Sequence, residues 1–153
     1  MHWLLMVSGL LLLSACSRSP HGRAVLTLRG PDGNTVLVHV DIAATEQERE
    51  RGLMGLEHLD ADSGMLFQFQ EPAIQDFWMK NTLIPLDILF FDASGALVSM
   101  EKMIPCATDP CPVYASKEPA LSALEVPGGF IEQYGIKREW RMETVARDSE
   151  PTQ

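Results

Sequence analysis

The sequence predicts a mainly β fold: a compact β-sandwich or barrel-like domain of about seven or eight short strands with two short helices. Two observations lead to this class. Short runs rich in Val, Leu, Ile and Phe recur along the 153 residues, and such runs are typical of strands. Turn-forming combinations of Gly, Pro, Asp and Asn separate the runs about every ten residues, a spacing that is usual in small all-β domains.

The first predicted element is a β-hairpin. Residues 24–29 and 35–42 form two β-rich runs, and the segment between them, Gly-Pro-Asp-Gly-Asn at 30–34, has the composition of a turn. Because so short a turn brings its flanking runs together, we expect the two strands to pair with each other.

A short helix is predicted after the hairpin. Thr45 and Glu48 match the capping-box pattern, in which each side chain accepts a hydrogen bond from the other residue's backbone N–H. Gly52 or Gly55 is expected to end this helix after about two turns.

Strand-like runs continue through the rest of the chain. Residues 63–69 form one run, and residues 76–81 and 86–91 form two more on either side of Pro85. A proline there favours a bend or a sheet edge over one continuous strand. The remaining predicted elements are a strand at 96–100, a proline-punctuated loop at 105–119, a strand at 120–126, a helix at 130–134 and a last strand at 140–146.

The N-terminus has the pattern of an export signal. Residues 1–15 are apolar and contain no Asp, Glu, Lys or Arg, and the apolar run is shorter than the roughly 20 residues that span a bilayer. Leu13-Ser-Ala-Cys16 resembles a bacterial lipobox, which implies lipidation of Cys16, and Ser17 resembles a signal for sorting to the outer membrane. The predicted organisation is a signal peptide at 1–15, a lipidated tether at 16–23, a β-rich domain at 24–146 and a flexible tail at 147–153.

Charge and cysteine content restrict the partners. With 12 Lys and Arg against 21 Asp and Glu, the net charge is −9, which argues against binding nucleic acid through its phosphates. In an oxidising periplasm, Cys106 and Cys111 are expected to form a structural disulfide, with a redox or metal-binding pair as the alternatives. Only His39 and His58 lie in the predicted domain, without ligand-spaced partners, so no metal or other cofactor is predicted.

One segment concentrates the side chains that recognise polar ligands. Trp78, Lys80 and Asn81 lie close together in the sequence, and Asp87 follows at the next strand. A tryptophan covers an apolar ligand face while a cation, an amide and a carboxylate direct hydrogen bonds, and Arg51 at the end of the first helix is a further candidate. The structural alternative is that Trp78 covers the sheet, Lys80 pairs with an acid and Asn81 shapes a turn.

Four segments together resemble the family of domain of unknown function 192, over roughly residues 35–145. They are Glu48-Arg-Glu-Arg-Gly-Leu-Met54, Gly64-Met-Leu-Phe67, Phe77-Trp-Met-Lys-Asn-Thr82 with Ile84-Pro-Leu-Asp-Ile88, and Cys106-Ala-Thr-Asp-Pro-Cys-Pro112. The resemblance implies a compact β-rich fold, similar to a β-sandwich, and it implies no established activity.

The leading functional hypothesis is a lipid-anchored, periplasm-facing binding or accessory domain for an envelope glycan, an envelope protein or a small polar ligand. One alternative is a hydrolase that uses paired carboxylates, for which Asp87 and Glu125 are the weak catalytic candidates. Another is a structural or assembly lipoprotein. The chain has no Gly-x-Ser-x-Gly elbow and no phosphate-binding glycine loop, which favours a non-enzymatic function.

Overall fold

The computed structural model describes residues 22–147, which contain nine strands and two short helices. The elements are β1 (Arg23–Arg29), β2 (Thr35–Ala43), α1 (Glu46–Arg51), β3 (Ser63–Ala73), β4 (Asp76–Trp78), β5 (Leu86–Phe91), β6 (Leu97–Met103), β7 (Val113–Ala115), β8 (Ala120–Pro127), α2 (Phe130–Tyr134) and β9 (Arg141–Arg147). The predicted mainly β class with two short helices is confirmed. The predicted signal peptide, the lipidation site Cys16 and nearly all of the tether and the tail lie outside the described residues.

Seven of these strands form one sheet in the order β6-β5-β8-β3-β2-β1-β9. The neighbouring pair β2 and β3 is parallel, with α1 in the connection between them, and the other neighbours are antiparallel. β1 and β2 form the predicted hairpin, with Arg29 opposite Thr35. Within residues 22–147, no helix is long and apolar enough to cross a bilayer.

The sheet curls into a half-barrel because its two edges meet at one end. Ala96, just before β6, bridges Arg141 of β9. The Leu97 N–H donates to the Trp140 carbonyl at 3.1 Å, and the Met142 N–H donates to the Gly95 carbonyl at 2.8 Å. The chains approach so closely that a Cβ on Gly95 would lie 2.3 Å from the Met142 carbonyl oxygen.

The helix α1 begins with the predicted capping box. The Thr45 side chain accepts from the Glu48 N–H at 3.2 Å, and the Glu48 carboxylate accepts from the Thr45 N–H at 3.0 Å. The helix ends at Gly52, whose backbone N–H donates to the Glu48 carbonyl at 2.9 Å. Since no residue of α1 is buried, its caps and its contact with the sheet hold it in place.

The two faces of the sheet carry separate apolar clusters. One cluster contains Leu124 and Val126 of β8 and packs against Phe130 of α2. The other contains Ala123 of β8 and Ile88 of β5, and the small sheet β4-β7 covers it. Because side chains alternate along a strand, Glu125 lies on the second face, beneath the small sheet.

The small sheet β4-β7 differs from the prediction. The run predicted at 76–81 forms a strand only at Asp76–Trp78, because the backbone then turns: the Thr82 N–H donates to the Met79 carbonyl at 3.2 Å, and Asn81 has a φ of 56°. The segment predicted as a loop at 105–119 contains β7, which pairs with β4 so that Val113 lies opposite Trp78.

Cys106 and Cys111 are joined by the predicted disulfide. It closes the loop that immediately precedes β7. The strand β7, which lies opposite Trp78, therefore directly follows a loop that a disulfide closes.

Candidate ligand-binding cavity

A cavity of about 480 Å³ opens between α1 and the strands β3, β4 and β8. The end of α1 and the turn that follows it form one wall, and aromatic side chains of β3 and β4 form another. Its lining residues are Glu46, Arg49, Glu50, Arg51, Gly52, Leu53, Met54, Phe67, Phe69, Gln75, Asp76, Phe77, Trp78, Thr82 and Glu125. The volume falls in the lower part of the range that small-molecule sites occupy, roughly 300–1,000 Å³.

Glu125 is the most unusual residue of this lining. Only 5% of it is exposed, and its direct neighbours across the sheet are Met65 of β3 and Ile88 of β5. No hydrogen bond or ion pair joins its carboxyl group to another residue within the described range 22–147. Burial raises the pKa of Glu125 to about 8, because an apolar environment disfavours the charged carboxylate.

The Glu125 carboxyl group is reached from the cavity. Among the described side chains, every fully enclosed nitrogen or oxygen atom has a hydrogen-bond partner. Since Glu125 has none and lines the cavity, its carboxyl oxygens face the open volume. Thr82, which is 8% exposed, is a second buried polar residue of the same lining.

Aromatic rings form part of the apolar lining of the cavity. Phe77 packs edge-on against Phe67, with ring centroids 4.9 Å apart, and against Phe69 at 6.4 Å. Trp78 is 50% exposed and lines the cavity. Lys80 is not part of the lining; its Nζ lies 5.3 Å from the centroid of the Trp78 ring, a distance at which a cation is attracted to the ring.

Two arginines of α1 have different roles. The Arg49 guanidinium donates to the backbone carbonyls of Ala44 and Gln68, the latter at 3.1 Å, and lies 5.4 Å from the Phe69 ring centroid. These contacts connect α1 to the end of β2 and to β3. Arg51 is exposed and lines the cavity, so it is the arginine available at the entrance.

The structure does not bring Asp87 to the cavity. Asp87 is buried on the opposite face of the sheet, where its carboxylate accepts from the backbone N–H groups of Gly129 at 3.1 Å and Ile131 at 2.8 Å. It thereby holds the start of α2. Because Asp87 pairs with Val126 in the ladder, Glu125 projects to the other side, and the two carboxyl groups do not form a catalytic pair.

Asn81 also has a structural position. Its left-handed backbone places its carbonyl where it accepts from the Gly55 N–H at 2.9 Å. Of the five predicted ligand-binding residues, Trp78 and Arg51 line the cavity, whereas Lys80, Asn81 and Asp87 do not.

Sequence reasoning missed several lining residues, including Thr82, Gln75 and the rings of Phe67 and Phe69. One signal for the site was present. Glu125 stands between Leu124 and Val126 in a run that reads as a buried strand, and an acid in such a run is rare unless it is paired or functional.

A second hollow of about 470 Å³ lies near the β1–β2 turn and α2, lined in part by Leu37, Gln133, Tyr134 and Trp140. It contains none of the buried polar or charged residues of the described chain. Within residues 22–147, no group of three or more His, Cys, Asp or Glu residues is arranged to hold a metal ion. The cavity at Glu125 is therefore the better candidate site.

Comparison with known proteins places this chain in a family. The DUF192 family, described as "Uncharacterized ACR", matches residues 27–144. The chain belongs to this family. The match covers the large sheet apart from residues 23–26 of β1 and 145–147 of β9, and it includes every residue of the cavity lining.

Two solved structures are similar to this DUF192 protein. One is a suggested transcription regulator from Sinorhizobium meliloti, with 31% identity, a TM-score of 0.76, and coverage of 82% of this chain and 96% of that chain. The other is a protein of unknown function from Novosphingobium aromaticivorans, with 29% identity, a TM-score of 0.73, and coverage of 80% and 85%. No curated protein matches the chain.

Proposed function

We propose that this protein is a binding domain that takes a small polar ligand into the cavity at Glu125. The observation that carries the proposal is the buried carboxyl group of Glu125, which faces open volume and has no partner within residues 22–147. A buried polar group without a hydrogen bond costs roughly 1–3 kcal/mol. A ligand that hydrogen-bonds to Glu125 recovers that free energy. If position 125 served packing alone, an apolar residue there would avoid the cost.

The lining supports binding of a molecule with both apolar and polar parts. Phe67, Phe77 and Trp78 offer ring surface, and Glu125, Thr82 and Arg51 offer polar groups. Such a combination of apolar walls with a few convergent polar groups is usual in small-molecule sites. The hydrolase hypothesis that pairs Asp87 with Glu125 lacks this support, since the two residues lie on opposite faces of the sheet.

We also propose that the domain is exported and anchored through a lipid on Cys16, facing the periplasm from the outer membrane. The lipobox-like sequence before Cys16 supports this location, and the Cys106–Cys111 disulfide fits an oxidising compartment. Labelling cells with a radioactive fatty acid tests the anchor. Wild type should carry the label in the membrane fraction, and Cys16→Ser should not; a labelled Cys16→Ser protein would contradict the proposal.

Nucleic-acid binding, to which the description of the Sinorhizobium neighbour points, is not proposed for this chain. A net charge of −9 repels the phosphate backbone.

A thermal-shift screen of the full chain tests the binding proposal. The compounds are sugars of the cell envelope, organic acids, amines and divalent metal salts. Wild type is run beside Glu125→Gln, Trp78→Ala and the control Leu37→Ala, because Leu37 is 56% exposed, close to the 50% of Trp78, and does not line the cavity. A stabilising compound should lose its effect in the first two variants and keep it in the third. A shift that persists in both cavity variants would move the site elsewhere.

A further inference from the structure

The charges around Glu125 favour one class of ligand. Besides Glu125, three carboxyl groups line the cavity, those of Glu46, Glu50 and Asp76, against two guanidinium groups. Of the two arginines, Arg49 is held by two backbone carbonyls and by the Phe69 ring. The lining therefore presents more negative than positive charge to a bound molecule, which disfavours an anion.

No cation of the described chain neutralises the Glu125 carboxyl group. Lys80 lies over the Trp78 ring. Two other lysines pair with acids outside the cavity lining, Lys102 with Glu132 at 3.0 Å and Lys117 with Glu101 at 3.2 Å. A carboxyl group that is buried and lacks a protein partner is complementary to a cation supplied from outside.

The aromatic walls favour the same class of ligand. The faces of Phe and Trp rings attract cations, and two rings of this lining already do so on the protein's own side chains: Phe69 with Arg49 and Trp78 with Lys80. Phe67 and Phe77 meet edge to face at 4.9 Å and add apolar surface for the rest of the molecule.

We propose that the cavity binds a small organic amine, with its ammonium group paired to Glu125 and its apolar part against Phe67, Phe77 and Trp78. This inference rests on the proposed binding function and deepens it by naming the ligand class. An ammonium group donates hydrogen bonds and carries a positive charge, and the Glu125 carboxylate lacks a partner that supplies either. A bare metal ion is a poorer match, since the described residues contain no cluster of metal ligands.

Three probes that share one ring test the ligand class: benzylamine, benzyl alcohol and benzoate. They present an ammonium group, a hydroxyl group and a carboxylate, respectively. Binding to the full chain is measured by ligand-observed NMR at pH 8, with Glu125→Gln, Trp78→Ala and Leu37→Ala in parallel. Charge-assisted hydrogen bonds are about twice as strong as neutral ones, so benzylamine should bind on the order of tenfold more tightly than benzyl alcohol, and benzoate should bind least.

The variants locate the binding and separate the two proposals. Benzylamine should lose on the order of tenfold in affinity with Glu125→Gln, because the amide carries no charge, and should be unaffected by Leu37→Ala. If benzyl alcohol or benzoate binds at least as tightly as benzylamine and depends on Trp78, the binding function stands and the amine inference is overturned. If none of the three binds, the amine inference is again overturned, and the wider thermal-shift screen decides the binding function separately.

Discussion

Glu125 makes the stability of this protein depend on pH in an uncommon direction. Burial raises the pKa of Glu125 from 4.5 to about 8 in the folded chain. Between these two values the unfolded chain has released the proton while the folded chain still holds it. Stability that is fully present below pH 4.5 is therefore lost as the pH rises towards 8, the reverse of the behaviour of most paired carboxylates.

The magnitude follows from the distance between the two pKa values. They differ by about 3.5 pH units, and one unit corresponds to about 1.4 kcal/mol. The free energy of unfolding of the wild type should therefore fall by up to about 5 kcal/mol between pH 4.5 and pH 8.5 relative to a variant with a neutral side chain at this position. Glu125→Gln is that variant, since the amide has the shape of the protonated acid.

Urea denaturation at half-unit steps from pH 4.5 to 8.5 measures the effect. The control is Glu139→Gln, which removes an exposed carboxylate and should give a curve parallel to the wild type. Glu125→Gln should match the wild type near pH 4.5 and become progressively more stable than it as the pH rises from about 5 to 8. Parallel curves for Glu125→Gln and wild type across the whole range would refute the claim that this carboxyl group is buried without a partner.

Three further substitutions test the parts of the fold that surround the cavity. Asp87→Ala leaves two backbone N–H groups at the start of α2 without their charged acceptor and should cost roughly 2–3 kcal/mol in urea denaturation; a smaller loss than that of Asp87→Asn would contradict this role. Gly95→Ala holds an alanine at φ +79° and places its Cβ 2.3 Å from the Met142 carbonyl oxygen. Calorimetry should therefore record a loss of at least about 2 kcal/mol in the free energy of unfolding, and an unchanged melting temperature would argue against the close contact between the sheet edges. Replacing Cys106 and Cys111 together by serine should lower the free energy of unfolding by about 2 kcal/mol. In the presence of a reducing agent, wild type and variant should have the same free energy of unfolding.

Features that depend on neighbouring residues in the sequence were predictable. The capping box of Thr45 and Glu48 and the β1–β2 hairpin each need only a few consecutive residues, and both are present. The loop closed by Cys106 and Cys111 also depended on short spacing. Local chemistry was sufficient in these three cases.

Features that depend on long-range pairing were not predictable in the same way. β7 has only three residues within a proline-rich segment, and it is a strand because β4 pairs with it. The parallel pairing of β2 with β3 likewise has no local signal.

The composition of the site depended on register. Asp87 and Glu125 lie on adjacent strands, but a ladder that pairs Asp87 with Val126 sends their side chains to opposite faces. A shift of one residue reverses that result, and no pattern in the sequence fixes it. Trp78 and Arg51 were identified from their chemistry alone, while the position of Glu125 beside them required the fold.

Titration of the Glu125 side-chain carboxyl carbon by NMR, with and without benzylamine, tests the account most directly. In the free protein the carboxyl group should titrate near pH 8. Bound benzylamine should lower its pKa, because the ammonium group stabilises the carboxylate. Titration of Glu125 close to 4.5 in the free protein, or a curve that does not move when benzylamine is added, would contradict the account.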